Sequence, residues 1–249
     1  MQQPDPGRIR AVILTTRRSG SSFLVECLRS HPEIECASEI LNGQPDDPVP
    51  AFRGPWRYVK KWSRIARTGA WRPAWWLDGY YRRGTAKVRC WKAMYEQLVR
   101  PFALRYVVRN EDIRVIHLRR HNLLKAHISA LLMNKREELQ ATGPTEAVWI
   151  HVNPARAIRA MRKMRARYEY FDRAFERHPR LQVAYENLFD GKYLQAETCS
   201  RICDFLDVAQ HRMESRIVKL NPESLRDMVK NYDELAAAVR KTEFADLLG

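Results

Sequence analysis

The sequence predicts an α/β fold in which a parallel sheet is flanked by helices. Short apolar, β-branched runs recur along the chain, and runs of this kind suit strands that are buried on both faces. Segments with apolar residues at helical spacing separate these runs. Because no internal repeat or linker-like stretch interrupts the 249 residues, we expect a single domain, 1–249, with a helical C-terminal part.

The first elements form a strand, a helix and a second strand. Ile9–Thr15 is apolar and β-branched, Ser21–Arg29 has apolar residues at helical spacing, and Ile34–Ala37 is a short second strand. His31-Pro32 ends the helix. Two strands joined in this way are parallel, and we expect these two to be adjacent in the sheet.

The later elements follow the same pattern of buried strands and amphipathic helices. The predicted strands are Ile113–Leu118 and Leu181–Tyr185. The predicted helices are Asn122–Leu139, Pro154–Arg177, Ala196–Leu206 and Pro222–Lys241.

A basic, tryptophan-rich segment runs from Arg53 to Lys92, and Asp78 is its only acidic residue. The tryptophans are Trp56, Trp62, Trp71, Trp75, Trp76 and Trp91. Aromatic rings stack on sugars, and arginines bind acidic groups, so the segment could be a lid that covers a bound ligand. It could equally be a helical insert with tryptophans in its own core. Both interpretations remain open.

The composition is that of a globular protein with a large excess of positive charge. The formal net charge is +15 and the pI is about 9.9, which fits nucleic acid, an anionic membrane surface or an anionic small ligand as a partner. Five scattered cysteines predict no disulfide framework and favour a reducing compartment. With no apolar signal region near the N-terminus, a cytoplasmic location is expected.

The turn after the first strand, TTRRSGSS from Thr15 to Ser22, has the features of an anion site. It leads into a helix N-terminus, where unpaired N–H groups and the helix dipole favour negative charge. Gly20 allows close approach of the backbone, and Arg18 offers a forked cationic donor. Neither the nucleotide loop GxxxxGK[ST] nor the dinucleotide motif GxGxxG is present. An ordinary loop with solvated arginines and a serine-capped helix is the alternative.

A second basic turn follows the strand "VIHL". Arg119 and Arg120 come directly after its last apolar residue, and Ser129 follows about two and a half helical turns later. Ligands of open α/β sheets bind at the carboxyl ends of the strands. Two basic turns at that edge therefore predict a ligand with two anionic groups.

These two segments resemble those of a known enzyme family. "TTRRSGSSFL" resembles the 5'-phosphosulfate-binding loop of sulfotransferases that use 3'-phosphoadenosine-5'-phosphosulfate (PAPS), and "VIHLRRHNLLKAHIS" resembles their 3'-phosphate-binding strand, turn and helix. "VAYENL" and the C-terminal segment are similar to later parts of bacterial members of the nodulation-factor and glycolipid type. The resemblance implies a P-loop-like fold, transfer of a sulfuryl group to a carbohydrate or glycolipid hydroxyl, release of PAP, and no metal.

The resemblance also implies roles for single residues. The basic loop residues Arg17 and Arg18 would hold the 5'-phosphosulfate with its polar residues Ser19, Gly20, Ser21 and Ser22. Phe23 would stack on adenine or, alternatively, belong to the helix core. Tyr185 would border the adenine, and Arg120 and Ser129 would hold the 3'-phosphate. Many members have eight residues from this Arg to this Ser; here the separation is nine, and His121 takes the eighth place.

Glu39 is the candidate general base. It follows the second strand and so lies at the same sheet edge as Arg18, and a carboxylate there could take the proton of the acceptor hydroxyl. The chain resembles some bacterial trehalose and glycolipid sulfotransferases in this respect, since they look to use a Glu at the same place. The alternative is that Glu39 only pairs with a nearby arginine.

Two other functions remain to be weighed. A single-strand nucleic-acid binder would explain the charge and interleaved aromatics, but not the position of both basic turns at strand ends. A nucleotide kinase would need a Walker-type lysine and an acidic Mg²⁺ ligand after a strand, and the sequence contains no convincing arrangement of either kind. We therefore expect PAPS and an acceptor as the ligands, with peripheral contact to an anionic membrane surface and no nucleic acid.

Overall fold

The computed structural model describes residues 7–42, 74–98, 101–140, 149–217 and 224–248. The chain forms two compact units. The first comprises Met1–Arg119 with Arg173–Val218, and the second comprises Arg120–Asp172 with Lys219–Gly249. That the whole chain is one domain stays a prediction.

The described helices divide between the two units. In chain order they are α1 (Ser21–Arg29), α2 (Ala74–Arg82), α3 (Tyr95–Leu98), α4 (Pro101–Arg109), α5 (Leu123–Gln140), α6 (Pro154–Ala174), α7 (Ala196–Leu206), α8 (Leu225–Met228) and α9 (Tyr232–Val239). Short 3-10 turns cover Ile40–Asn42, Tyr185–Asn187 and Ala245–Leu248.

The first unit is built on a five-stranded sheet with the order β2-β3-β1-β4-β5. Its strands are β1 (Ile9–Thr15), β2 (Ile34–Ala37), β3 (Val88–Met94), β4 (Arg114–Arg119) and β5 (Arg180–Ala184). All neighbouring strands are parallel, so their carboxyl ends meet at one edge. The predicted fold class, a parallel sheet flanked by helices, is confirmed. A two-stranded antiparallel hairpin, β6 (Phe189–Asp190) and β7 (Tyr193–Leu194), adjoins the start of α7 in sequence.

Strand β3, which lies between β2 and β1, corrects two expectations. Residues 88–92 were assigned to the basic insert, and β1 and β2 were expected to be neighbours. Instead, β3 pairs with both: Val88 is opposite Ile9 of β1 and Ile34 of β2. The rest of the predicted insert up to residue 73 lies outside the described residues, so its role as a lid stays a prediction.

The sequence pattern did not predict β3 because the strand contains charged residues, and in the structure these residues are buried. Arg89 is fully buried, with its Nε 3.2 Å from Glu35 Oε2 and its guanidinium over the Tyr80 ring. Trp91 is also fully buried and donates from Nε1 to the Tyr81 hydroxyl at 2.6 Å. The fold supplies partners that let a buried strand carry a cation.

Helix α1 packs on the sheet through the apolar face that the sequence predicts. Phe23, Leu24, Cys27 and Leu28 are at most 1% exposed and belong to the core beside the sheet. All five cysteines of the chain are buried as free thiols. Burial raises the pKa of Cys27 to about 12, as expected of a core thiol rather than a reactive one.

The second unit is helical and contains α5, α8, α9 and all but the last two residues of α6. The expected single helix Pro222–Lys241 is wrong, because residues 224–241 contain two helices. Val229 between them is extended, with φ −117° and ψ 114°, and forms a bridge with Ile150. The Lys230 N–H donates to the Ile150 carbonyl at 2.9 Å, which uses the backbone that a continuous helix would need.

Candidate functional site

The turn after β1 is braced by its own hydroxyl groups. The Ser19 hydroxyl contacts that of Thr15 and donates to the Thr16 carbonyl at 2.7 Å. Thr15 Oγ1 in turn lies 3.2 Å from the Leu118 carbonyl of β4. The loop is thereby tied to the neighbouring strand. The Ser19 side chain is therefore used inside the loop.

The backbone of this loop is left-handed at two positions. Arg18 has φ 62° and Gly20 has φ 76°. A Cβ placed on Gly20 would lie 2.8 Å from Leu188 Cδ1 and 2.9 Å from Tyr185 Cδ2. Glycine is therefore required for both conformation and space. The structure also brings the predicted adenine-bordering Tyr185 to the loop.

Helix α1 begins directly after Gly20. The first helical hydrogen bond runs from the Leu24 N–H to the Gly20 carbonyl at 3.1 Å. The N–H groups that precede it in a helix have no intrahelical partner and favour an anion. The side chain of Ser21 is buried, whereas Arg17 and Ser22 are exposed and Arg18 is half-buried.

Phe23 lies in the core rather than at the surface of the site. It is 1% exposed, and its ring centroid is 4.5 Å from that of Phe189. Of the two interpretations of Phe23, this position favours the helix core.

Glu39 follows β2 at the carboxyl edge of the sheet. Lys92 Nζ of β3 lies 3.1 Å from Glu39 Oε1, and Gln97 Nε2 of α3 donates to Oε2 at 2.8 Å. The β2-β3-β1 order puts Glu39 two strand spacings, each about 4.8 Å, from the strand that leads into the loop. The alternative role predicted for Glu39 named an arginine as its partner; the cation here is a lysine.

Lys92 and Gln97 were not recognised as site residues from the sequence. Lys92 is 3% and Gln97 4% exposed, and both lie at or just past the end of β3. The run VRCWKAM has five apolar residues in seven, which could have marked it as a strand. The surrounding basic residues obscured that signal.

A second network at this edge fixes Arg119. Arg119 Nη2 donates to Nδ1 of the fully buried His117 at 3.0 Å, and the Tyr95 hydroxyl lies 2.6 Å from His117 Nε2. Because a guanidinium only donates, Nδ1 must be an acceptor, and the network assigns the proton to Nε2. Arg119, the last residue of β4, is thereby held at the strand end.

The predicted 3'-phosphate residues belong to the second unit, whereas the loop belongs to the first. Arg120 precedes α5, and its N–H donates to the Tyr168 hydroxyl at 3.3 Å. Asn122 caps α5 by accepting from the Lys125 N–H at 2.8 Å, and Ser129 lies half-buried in the second turn of the helix.

The described part of the chain lacks two features. Within it, no group of three His, Cys, Asp or Glu side chains could hold a metal ion. Among the same residues, no helix is both long and apolar enough to cross a membrane.

Comparison with known proteins relates the chain to others through its fold. No protein-family model and no curated protein matches the sequence. A solved sulfotransferase from Alicyclobacillus acidocaldarius aligns with a TM-score of 0.53 and 16% identity, over 97% of this chain and 96% of that one. A sulfotransferase domain from the curacin biosynthetic pathway aligns with a TM-score of 0.45 and 19% identity, over 97% and 84%. The chain thus has the fold of the Alicyclobacillus sulfotransferase along nearly its whole length.

Proposed function

We propose that the protein is a sulfotransferase that moves a sulfuryl group from PAPS to a hydroxyl of a carbohydrate or glycolipid. The acceptor oxygen attacks sulfur, the bond from sulfur to the 5'-phosphate oxygen breaks, and PAP leaves. The acceptor proton passes to Glu39. Like phosphoryl transfer, this reaction depends mainly on positioning and on neutralising charge.

One observation carries the proposal. A carboxylate held by two donors lies at the same sheet edge as the loop that is predicted to bind an anion. Glu39 follows β2 and the loop follows β1, two strand spacings away, so the sulfuryl group and the acceptor hydroxyl would lie between them. An acid–base group and an anion site facing one edge are what group transfer from an anionic donor requires. The fold shared with the Alicyclobacillus sulfotransferase supports the same reaction.

The donor's 5' end would bind at the loop. The first N–H groups of α1 follow Gly20 directly, and N–H groups at this position of a helix favour an anion. Arg17 and Arg18 would add charge, and Lys92 would neutralise the sulfuryl oxygens beside Glu39. At the other end of the donor, Arg120 and Ser129 would hold the 3'-phosphate, with Tyr185 along the adenine.

Residues 53–73 would contribute to acceptor binding as a lid. Peripheral contact with an anionic membrane surface is supported by α6, whose exposed side chains Arg156, Arg159 and Lys163 recur on one face. Cosedimentation with vesicles, neutral or containing anionic lipid, compares the wild type with an Arg156→Glu, Lys163→Glu double variant.

Calorimetric titration with PAP, ATP and a short single-stranded oligonucleotide tests the function. Tight binding of PAP, well above that of ATP, is the expected result. Salt-sensitive binding of the oligonucleotide without PAP binding would instead support the nucleic-acid alternative. In that case the exposed arginines of α6 could contact the phosphates.

The role of Glu39 is tested separately. Glu39→Gln retains an oxygen acceptor for Lys92 but cannot take the acceptor proton. We expect unchanged PAP affinity and a loss of turnover of at least about 100-fold. Retained catalysis in this variant would remove Glu39 as the base.

A further inference from the structure

We propose that Gln97 is a positioning residue that fixes the carboxylate of Glu39 for proton transfer. The inference rests on the proposed sulfotransferase function. Gln97 carries no charge and lies far from the predicted donor-binding loop in the sequence.

The amide of Gln97 has only one orientation consistent with its surroundings. The Met94 N–H, at the end of β3, donates to Gln97 Oε1 at 2.9 Å. The amide nitrogen must therefore face the other way, where it donates to Glu39 Oε2 at 2.8 Å. Since Gln97 is only 4% exposed, water does not compete freely for these contacts. The end of β3 thereby sets the position of one carboxylate oxygen.

Strand β3 also contacts the segment around Glu39. The Ser38 carbonyl, next to Glu39 in the chain, accepts from the Lys92 N–H at 3.3 Å and from the Ile40 N–H at 2.9 Å. Lys92 Nζ contacts the other carboxylate oxygen at 3.1 Å. The Gln97 amide and the Lys92 ammonium thus contact different oxygens of the Glu39 carboxylate.

Loss of Gln97 should therefore affect catalysis more than binding. Gln97→Met keeps the volume and removes both hydrogen bonds. Gln97→Glu keeps an acceptor for Met94 but places a carboxylate against Glu39. Residues that orient a reacting group typically change rates by 10- to 100-fold, and we expect a fall of about that size in kcat for both variants.

Asn231 provides a matched control outside the candidate site. Its Oδ1 accepts from the Val152 N–H at 2.9 Å, and its Nδ2 donates to Glu234 Oε2 at 2.8 Å. This amide thus joins a backbone N–H to a glutamate, as Gln97 does. Asn231→Asp repeats the chemistry of Gln97→Glu and should leave kcat unchanged.

The experiment measures PAP release from PAPS, with an identified acceptor or with water, together with the KM for PAPS and the affinity for PAP. The expected result is a lower kcat for Gln97→Met and Gln97→Glu, with KM and PAP affinity within about threefold of wild type. In a Glu39→Gln background, Gln97→Met should cause no further loss, because the group that it positions is already inactive. Full kcat in Gln97→Met, or an additive loss in the double variant, overturns the inference.

A second readout separates this inference from the proposed function. The side-chain carboxyl ¹³C resonance of Glu39, assigned by its absence in Glu39→Gln, should move in Gln97→Met and stay in place in Asn231→Asp. If wild-type protein neither binds PAP nor consumes PAPS, the proposed function fails, and with it the catalytic role of Gln97. If the protein is active but the resonance does not move, the positioning role alone is overturned.

Discussion

Lys92 Nζ lies 3.1 Å from Glu39 Oε1, and the two side chains are only 4% and 16% exposed. Burying this ion pair costs free energy because two charges leave water, and the attraction between the two charges offsets that cost. Removing one partner leaves the other charge without compensation, whereas removing both charges does not. The pair is therefore expected to show strong coupling in stability as well as in catalysis.

Lys92→Met should lower the free energy of unfolding by about 3 kcal/mol, because it leaves the Glu39 carboxylate buried without its cation. The double variant Lys92→Met, Glu39→Gln should recover most of that loss. Denaturant unfolding of the wild type, the two single variants and the double variant measures the coupling. Additive single effects would show that the ion pair contributes little.

Gly20→Ala should destabilise the protein by about 2–4 kcal/mol. The alanine would have to adopt a left-handed φ of 76°, and its Cβ would press on Tyr185 and Leu188. Gly191 is the matched control, since its φ is 60° and a Cβ there would meet no atom within 4 Å. Gly191→Ala should cost only about 1 kcal/mol, and equal losses in the two variants would mean that crowding at the loop is unimportant.

The sequence could predict β1, the loop and α1 because their signals are local. An apolar β-branched run, a glycine in a basic turn and a helical apolar face each lie within a few residues. The left-handed Gly20 and the N–H groups at the start of α1 lie within that same stretch. The family resemblance placed Tyr185 along the adenine, but its position beside Gly20 was not predicted.

Strand β3 and the Lys92 and Gln97 contacts could not be predicted in the same way. A cation in a buried strand is stable only if the fold brings a partner to it, and Glu35 and Glu39 are both more than 50 residues away in sequence. Pattern alone assigned those charges to a solvated or ligand-binding surface. The break between α8 and α9 was missed for a similar reason, because the extended Val229 forms a bridge with Ile150, which is distant in the sequence.

The hydrogen bond from Arg162 lowers the pKa of Glu243 from an ordinary 4.5 to about 2. Because the folded-state pKa is the lower one, the contribution of this pair is present above about pH 4.5 and is lost as the pH falls toward 2. The difference in melting temperature between the wild type and Glu243→Gln should therefore shrink over that range. The bond is 2.8 Å long and exposed, so added salt should weaken it.

The more exposed pair of Arg177 and Glu111, at 3.4 Å, serves as the control for that experiment. Glu111→Gln should alter the melting temperature less than Glu243→Gln at neutral pH. A difference for Glu243→Gln that persists unchanged at pH 2 would contradict the assignment.

Arg18 combines a strained backbone with a proposed role in binding the donor. Its φ of 62° is unfavourable for any residue with a Cβ, so Arg18→Gly should stabilise the protein by up to about 1 kcal/mol. The same change removes the guanidinium from the loop and should abolish PAPS turnover, as should Arg18→Ala, which keeps the strain. Asp207, with φ 52°, is the corresponding position at the end of α7. Asp207→Gly should bring a similar gain in stability with full activity. Full activity in Arg18→Gly or Arg18→Ala would contradict the proposed function of the loop.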